Sequence, residues 1–222
     1  MLIILLSCFE GFSQYKLPND WHLERLKGSP VSYTENTVLT TQNARFKMVF
    51  YYNKDGYLIS RENYNYYHVE EDSLHLTERT TYKYPAVGIK TGITKNVKSK
   101  KNIGSSSYTM IAIDSMAVHL NQQNNITKMI YHLDEKQRIK LIEATMFNTK
   151  MDKEIANYTT EMTFENDMII KMTVRNKRTD PEGNTLEVVN VLKDDKGNII
   201  HKELKDNNGV IVNIVDRTYE YN

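Results

Sequence analysis

The densest run of metal-type side chains in this 222-residue sequence is His68-Val-Glu70-Glu-Asp72-Ser-Leu-His75. On a strand, His68, Glu70 and Asp72 point to one side, and His75 can return across a turn. Imidazole with carboxylates suits zinc or calcium. The same stretch also reads as an acidic turn between two strands. Its spacing matches no established ligand set, so neither a metal nor any other cofactor is assigned. Hydrolytic chemistry has no better anchor. There is no Gly-x-Ser-x-Gly, His-Glu-x-x-His or Walker loop, and the one cysteine, Cys8, lies in the N-terminal segment. His22, His119, His132 and His201 are scattered. The 28 Asp and Glu offer many carboxylates, but no spacing singles out a catalytic pair.

Charge is more informative. From Arg79 to Ile113 the chain carries Arg79, Lys83, Lys90, Lys95, Lys98, Lys100 and Lys101 and no acid at all. Gly88-Ile-Lys-Thr-Gly92 and 98–107 read as loop, which predicts a basic loop over 86–106. Lys90, Lys95, Lys98, Lys100 and Lys101 are therefore candidates for docking an anionic partner: an envelope protein, a glycan or lipopolysaccharide. A solvated insertion is the plainer alternative. Nucleic acid is disfavoured, since net charge is only +1 and no aromatic ladder interleaves the lysines. Tyr51, Tyr52, Tyr57, Tyr64, Tyr66 and Tyr67 could form a sugar-stacking platform or simply pair across strands.

The elements that must position these residues are strands. Val49-Phe-Tyr-Tyr-Asn-Lys-Asp-Gly56-Tyr-Leu-Ile runs into an Asn-x-x-Gly turn and out again. Asp194–Gly197 and Asp206–Gly209 repeat the pattern. Phe46, Met48, Phe50 and Tyr52 alternate with polar residues, as half-buried strands do. Turn signals every dozen or so residues predict a mainly β fold: one curved antiparallel meander sheet, partly closed, over 14–222. The single helix signal is Asn19-Asp-Trp-His-Leu23-Glu-Arg-Leu26-Lys-Gly28, capped by Asn19 or Asp20, ended by Gly28 and placed to plug one end of the sheet.

Met1–Leu6 is an apolar run too short to span a bilayer, and it reads as the core of an export signal over 1–13. Cleavage would fall after Gly11-Phe12-Ser13, before Gln14. The alternative is a lipoprotein signal over 1–7, with Cys8 lipidated. Either route predicts an exported protein, in the periplasm, at the outer membrane or released, with no transmembrane helix and at most a lipid anchor.

Leu23-Glu-Arg-Leu-Lys-Gly28-Ser-Pro-Val-Ser-Tyr-Thr-Glu35, together with the Tyr52-Asn-Lys-Asp-Gly56-Tyr-Leu and Asp195-Lys-Gly197-Asn-Ile units, resembles secreted Bacteroidota proteins with degenerate YD/RHS-like β-hairpin repeats. The Phe-Ser-Gln signal end is similar to theirs, and Asp72-Ser-Leu and Asp114-Ser-Met resemble their short O-glycosylation site. The middle, 85–160, departs from the pattern. The resemblance implies an exported antiparallel scaffold and no particular activity. The function expected is therefore non-enzymatic binding of a macromolecular or glycan partner at the envelope. The alternatives are a small envelope hydrolase with unrecognised carboxylates, or an immunity or lipid-carrier type of ligand-binding protein.

Overall fold

Fourteen antiparallel strands follow one another around a closed ring in the computed structural model, which describes residues 15–42, 44–65 and 75–221. Each strand pairs with its neighbour in sequence, and β1 (Pro30–Leu39) closes the ring on β14 (Ile211–Tyr221), with Tyr33 opposite Tyr219 and Leu39 opposite Asn213. The partly closed sheet expected from the sequence is thus a complete barrel. Closure pairs both edges, so neither is left as a template for association.

The hairpins between strands share one device. In four turns an Asn or Asp starts a four-residue reversal whose side-chain Oδ1 accepts from the amides two and four residues on. They are Asn53 (3.0 and 3.0 Å), Asp134 (2.9 and 2.9 Å), Asp194 (3.0 and 2.8 Å) and Asp206 (2.9 and 2.9 Å). The fourth residue takes a left-handed conformation: Gly56 at φ 81, Gln137 at φ 58, Gly197 at φ 85 and Gly209 at φ 79. Only an acceptor side chain at the first place and tolerance of positive φ at the fourth make this turn. The Asp134 turn lies in the middle region, where no glycine advertises it, so the hairpin unit extends further than the sequence suggests.

Antiparallel partners share a face, so the register sorts the wall into inside and outside. Tyr33, Phe50, Arg61, Thr80, Thr94 and Gly104 form one inward series across β1, β2 (Ala44–Tyr52), β3 (Leu58–Asn65), β4 (His75–Ala86), β5 (Ile89–Asn96) and β6 (Asn102–Ala112). Tyr33, Tyr52, Leu58 and Tyr82 make one buried cluster, and Leu17, Met110, Met116, Val118 and Leu133 make another. The outward face is charged. Cross-strand pairs there include Arg79–Glu62 (2.9 Å), His132–Glu143 (3.0 Å), Arg175–Glu161 (2.7 Å), Lys205–Glu187 (3.1 Å) and His201–Asp216 (2.7 Å).

The helix α1 (Asp20–Glu24) is capped by the Asn19 side chain, which accepts from the His22 amide at 2.8 Å. It ends at Arg25, itself left-handed at φ 57, three residues before the expected stop at Gly28. Arg25 takes that strained conformation while its guanidinium donates to the Asp167 carbonyl and lies 4.2 Å from the Phe164 ring centroid. Strands alternate in direction, so the Asn53, Asp134 and Asp194 turns lie at the helix's end of the barrel and the Asp206 turn at the other. All three near turns hold the plug. The Trp21 amide donates to Gly56 O at 3.1 Å and Asn19 Nδ2 to Asp55 O at 3.2 Å. His22 Nε2 meets Lys136 O at 2.9 Å. The Lys27 amide donates to Asn198 Oδ1 at 2.7 Å, and Asn198 Nδ2 returns a bond to Lys27 O at 2.9 Å. Gly56 has a second reason to be glycine: a Cβ there would run into the Trp21 ring.

Candidate functional site

Residues 86–106, expected as a basic loop, are instead strands β5 and the start of β6, joined by a turn over 97–101. Their Lys, Thr and Ser alternate between wall faces. Lys90 points inward and is 7% exposed, so it cannot dock a partner from solution. Lys95 points outward, and Lys98, Lys100 and Lys101 sit exposed on or beside the turn, at the end away from the helix. The five lysines are therefore not one surface.

Lys90 grips the plug. Its ammonium pairs with Asp20, also 7% exposed, and sits 4.6 and 4.9 Å from the ring centroids of Tyr82 and Tyr108. Asp20 also accepts from the Leu58 amide at 2.8 Å and the Tyr84 hydroxyl at 2.7 Å. Both carboxylate oxygens of Asp20 are bonded and the Lys90 ammonium is held by Asp20 and two rings, which is what allows two charges to be buried together. Burial, then the charge and hydrogen bond of Asp20, push the Tyr84 hydroxyl far above its ordinary range. The tyrosine platform does not assemble either. Tyr52 stacks inside on Tyr33, Tyr57 packs on Tyr84 at 4.9 Å, and Tyr51 and Tyr64 bond Glu62 on the outside.

The opposite wall is different. Between the plug and β9 (Ile139–Asn148) to β14 lies a cavity of about 480 Å³. Its lining includes Leu26, Ile139, Met162, Ile169 and Ile199 among cations and two acids. Most of the cations are engaged. Arg138 pairs with Asp134 at 2.5 Å and with Asp167 at 2.9 Å, and Lys136 pairs with Asp167 at 2.9 Å. Arg217 bonds Glu35 at 2.8 Å and lies 5.2 Å from the Tyr33 ring centroid. Lys202, half-buried and inward opposite Val215, takes part in no ion pair and no hydrogen bond among the described residues. Burial, then Arg217, lowers its pKa against the opposing pull of Glu35 and Glu24. Glu24 projects from the helix and lines the cavity, where its side chain remains accessible. Burial raises its pKa, Arg217 opposes, and Glu35 and Asp20 add to the rise.

His68, Glu70, Asp72, Cys8 and the cleavage position before Gln14 lie outside the described residues, as do Tyr66 and Tyr67. His75 begins β4 at the surface. Among the described residues no group of three His, Cys, Asp or Glu could hold a metal ion. Ser115 Oγ donates to Asp114 at 3.0 Å, and Met116 is buried at 2% exposure. Sequence reasoning missed Asp20, Glu24, Lys202 and Arg217. An isolated Lys in Ile199-Ile-His-Lys-Glu-Leu looks like any wet strand position.

The arrangement is that of a plugged antiparallel barrel with a charged outer wall and one amphiphilic cavity under the plug. No family model matches the chain, and no curated protein matches it. Among solved structures, it is similar to a porin-like protein from Bacteroides uniformis, with a TM-score of 0.46 and 12% identity over 87% of this chain and 98% of that one. A porin-like protein from Bacteroides vulgatus gives a TM-score of 0.49 and 11% identity over 84% and 97%. Likeness at that level carries no argument here about function.

Proposed function

We propose that this chain is an exported, non-enzymatic barrel that takes a small amphiphilic ligand into the cavity beneath its helical plug, and does not conduct through a membrane. The single observation that carries the reading is the polarity of the wall. A barrel that spans a bilayer presents an apolar band outward and a polar lumen, and a Lys or Arg on its lipid face costs about 2–4 kcal/mol at mid-depth. Here Arg175–Glu161 and Lys205–Glu187 sit on the outer wall among isolated exposed residues such as Ile93, Ile130 and Phe147, while the fully buried Tyr33, Met116, Val118 and Leu133 face in. The apolar lining with a few aimed polar groups is the usual make-up of a small-ligand pocket. The Met1–Leu6 run supports export, to the periplasm or the outer-membrane surface.

Met162, on the cavity's inner wall, gives the test. A neutral solvatochromic dye should bind the wild type saturably, one per chain. Met162→Trp, which fills the cavity, should abolish that binding with the fold intact by circular dichroism. Dye binding that is absent, or indifferent to Met162→Trp, removes the reading.

The exposed Lys95, Lys98, Lys100 and Lys101 support a second reading, docking of an anionic envelope partner at the end away from the plug. Changing all four to Ser should weaken retention on an anionic glycan column at low salt and scarcely alter stability, since surface changes cost under about 0.5 kcal/mol. Unchanged retention would remove that surface from consideration.

A further inference from the structure

Resting on the ligand-binding reading, we infer that the cavity's ligand is an anionic amphiphile, a carboxylate with an apolar tail, and that Lys202 anchors its head. The argument is one of leftover charge. Among the cations lining the cavity, Arg138 and Lys136 are neutralised by Asp134 and Asp167, and Arg217 by Glu35. Arg25 spends a donor on the Asp167 carbonyl and lies against Phe164. Lys27 and Lys193, also without a carboxylate partner, are exposed. Among the described residues Lys202 is thus the inward, half-buried ammonium of the lining with three N–H donors and no acceptor. A protein keeps an unpaired, largely desolvated ammonium only at a cost, and a ligand that brings the missing acceptor removes that cost.

The other features limit the class. Leu26, Ile139, Met162, Ile169 and Ile199 line the same space and suit a hydrocarbon tail. Glu24 faces the same cavity and would repel a second negative charge, which favours a monoanion over a phosphate dianion. The depressed pKa of Lys202 fits a site built to lose its solvent to a ligand.

The probe pair is a fluorescent polyene fatty acid and its methyl ester, equal in tail and differing in charge, titrated into the full exported chain. Wild type should bind the acid roughly tenfold or more tightly than the ester, the margin of one charge-assisted hydrogen bond. Lys202→Met should erase that preference, whereas Lys202→Arg should keep it. Equal affinity of wild type for acid and ester, or a preference that survives Lys202→Met, overturns the inference while leaving the ligand-binding reading in place. Binding of neither probe overturns both. If Lys202→Met does not fold, Lys202→Gln serves the same comparison.

Discussion

The plug touches two walls, and they treat charge in opposite ways. On the β3–β6 side Asp20 and Lys90 are buried, caged by tyrosines and paired with each other. On the β9–β14 side the helix stands off the wall, Glu24 and Lys202 face a cavity, and Lys202 has no ion-pair or hydrogen-bond partner among the described residues. On one side the buried charge is paired within the protein and on the other it is not, although buried polar atoms of Tyr52, Arg61, Asn63 and Ser106 lack hydrogen-bond partners on or beside the first side. Polar groups unsatisfied by their own protein are where a ligand has something to supply.

The same substitution should therefore have opposite consequences on the two walls. Lys90→Met leaves Asp20 charged, buried and without its counter-ion, and should cost about 3–5 kcal/mol. For a chain of this size that is a fall in Tm of roughly 10 °C or more. Lys202→Met removes an unpaired charge from the same barrel and should leave ligand-free stability within about 1 kcal/mol of wild type, or above it. Thermal melts of the two variants side by side decide the matter. Equal losses would mean that Lys202 is as structural as Lys90, and the contrast between the walls would collapse.

How much of this was legible differs by element. The Asn53, Asp194 and Asp206 turns announce themselves, because an acceptor side chain followed three residues later by glycine is what the reversal needs. The helix was visible through its Asn19 cap, as was its role as a plug. Closure was not. An open meander and a ring have the same local pattern, and the pairing that distinguishes them joins Tyr33 to Tyr219. Lys90 was misplaced for a related reason. In Ile89-Lys-Thr-Gly-Ile-Thr-Lys the inward positions are Lys90, Gly92 and Thr94, so the core face shows no apolar period. The acid that makes Lys90 tolerable is 70 positions away. The cavity depends on which inward cations find partners, and only the folded register decides that.

The turns offer a middle-sized test at the rim of the cavity, where one of them leads into β9. Gln137 occupies the glycine place of the Asp134 turn at φ 58, a conformation costing an L-residue on the order of 1–2 kcal/mol. Its side chain recovers part of this by donating to Ile113 O at 3.2 Å. Gln137→Gly should raise stability by about 1 kcal/mol, read as a higher urea midpoint with the slope unchanged. A lower midpoint would show that the tie to the neighbouring hairpin outweighs the backbone strain.

The smallest expected effect lies on the cavity side. The pKa of Glu24 is raised in the folded state, chiefly by burial, so the folded chain holds its proton more firmly than the unfolded one. Its favourable contribution is complete below the unfolded value near 4.3 and is lost as pH rises through the higher folded value. At pH 7, well above the unfolded value, Glu24 is thus a net cost, and Glu24→Gln should raise Tm slightly. Below about pH 4 the advantage should vanish, because both side chains are then neutral. Asp134, on the same rim, behaves oppositely. Desolvation would raise it, but the hydrogen bonds and charge of Arg138 prevail and hold it below the usual carboxylate range, so its contribution is present at neutral pH and is lost on acidification. A Gln variant whose gain is the same at pH 3.5 as at pH 7 would show that packing, and not a carboxylate stranded in the cavity, sets the difference.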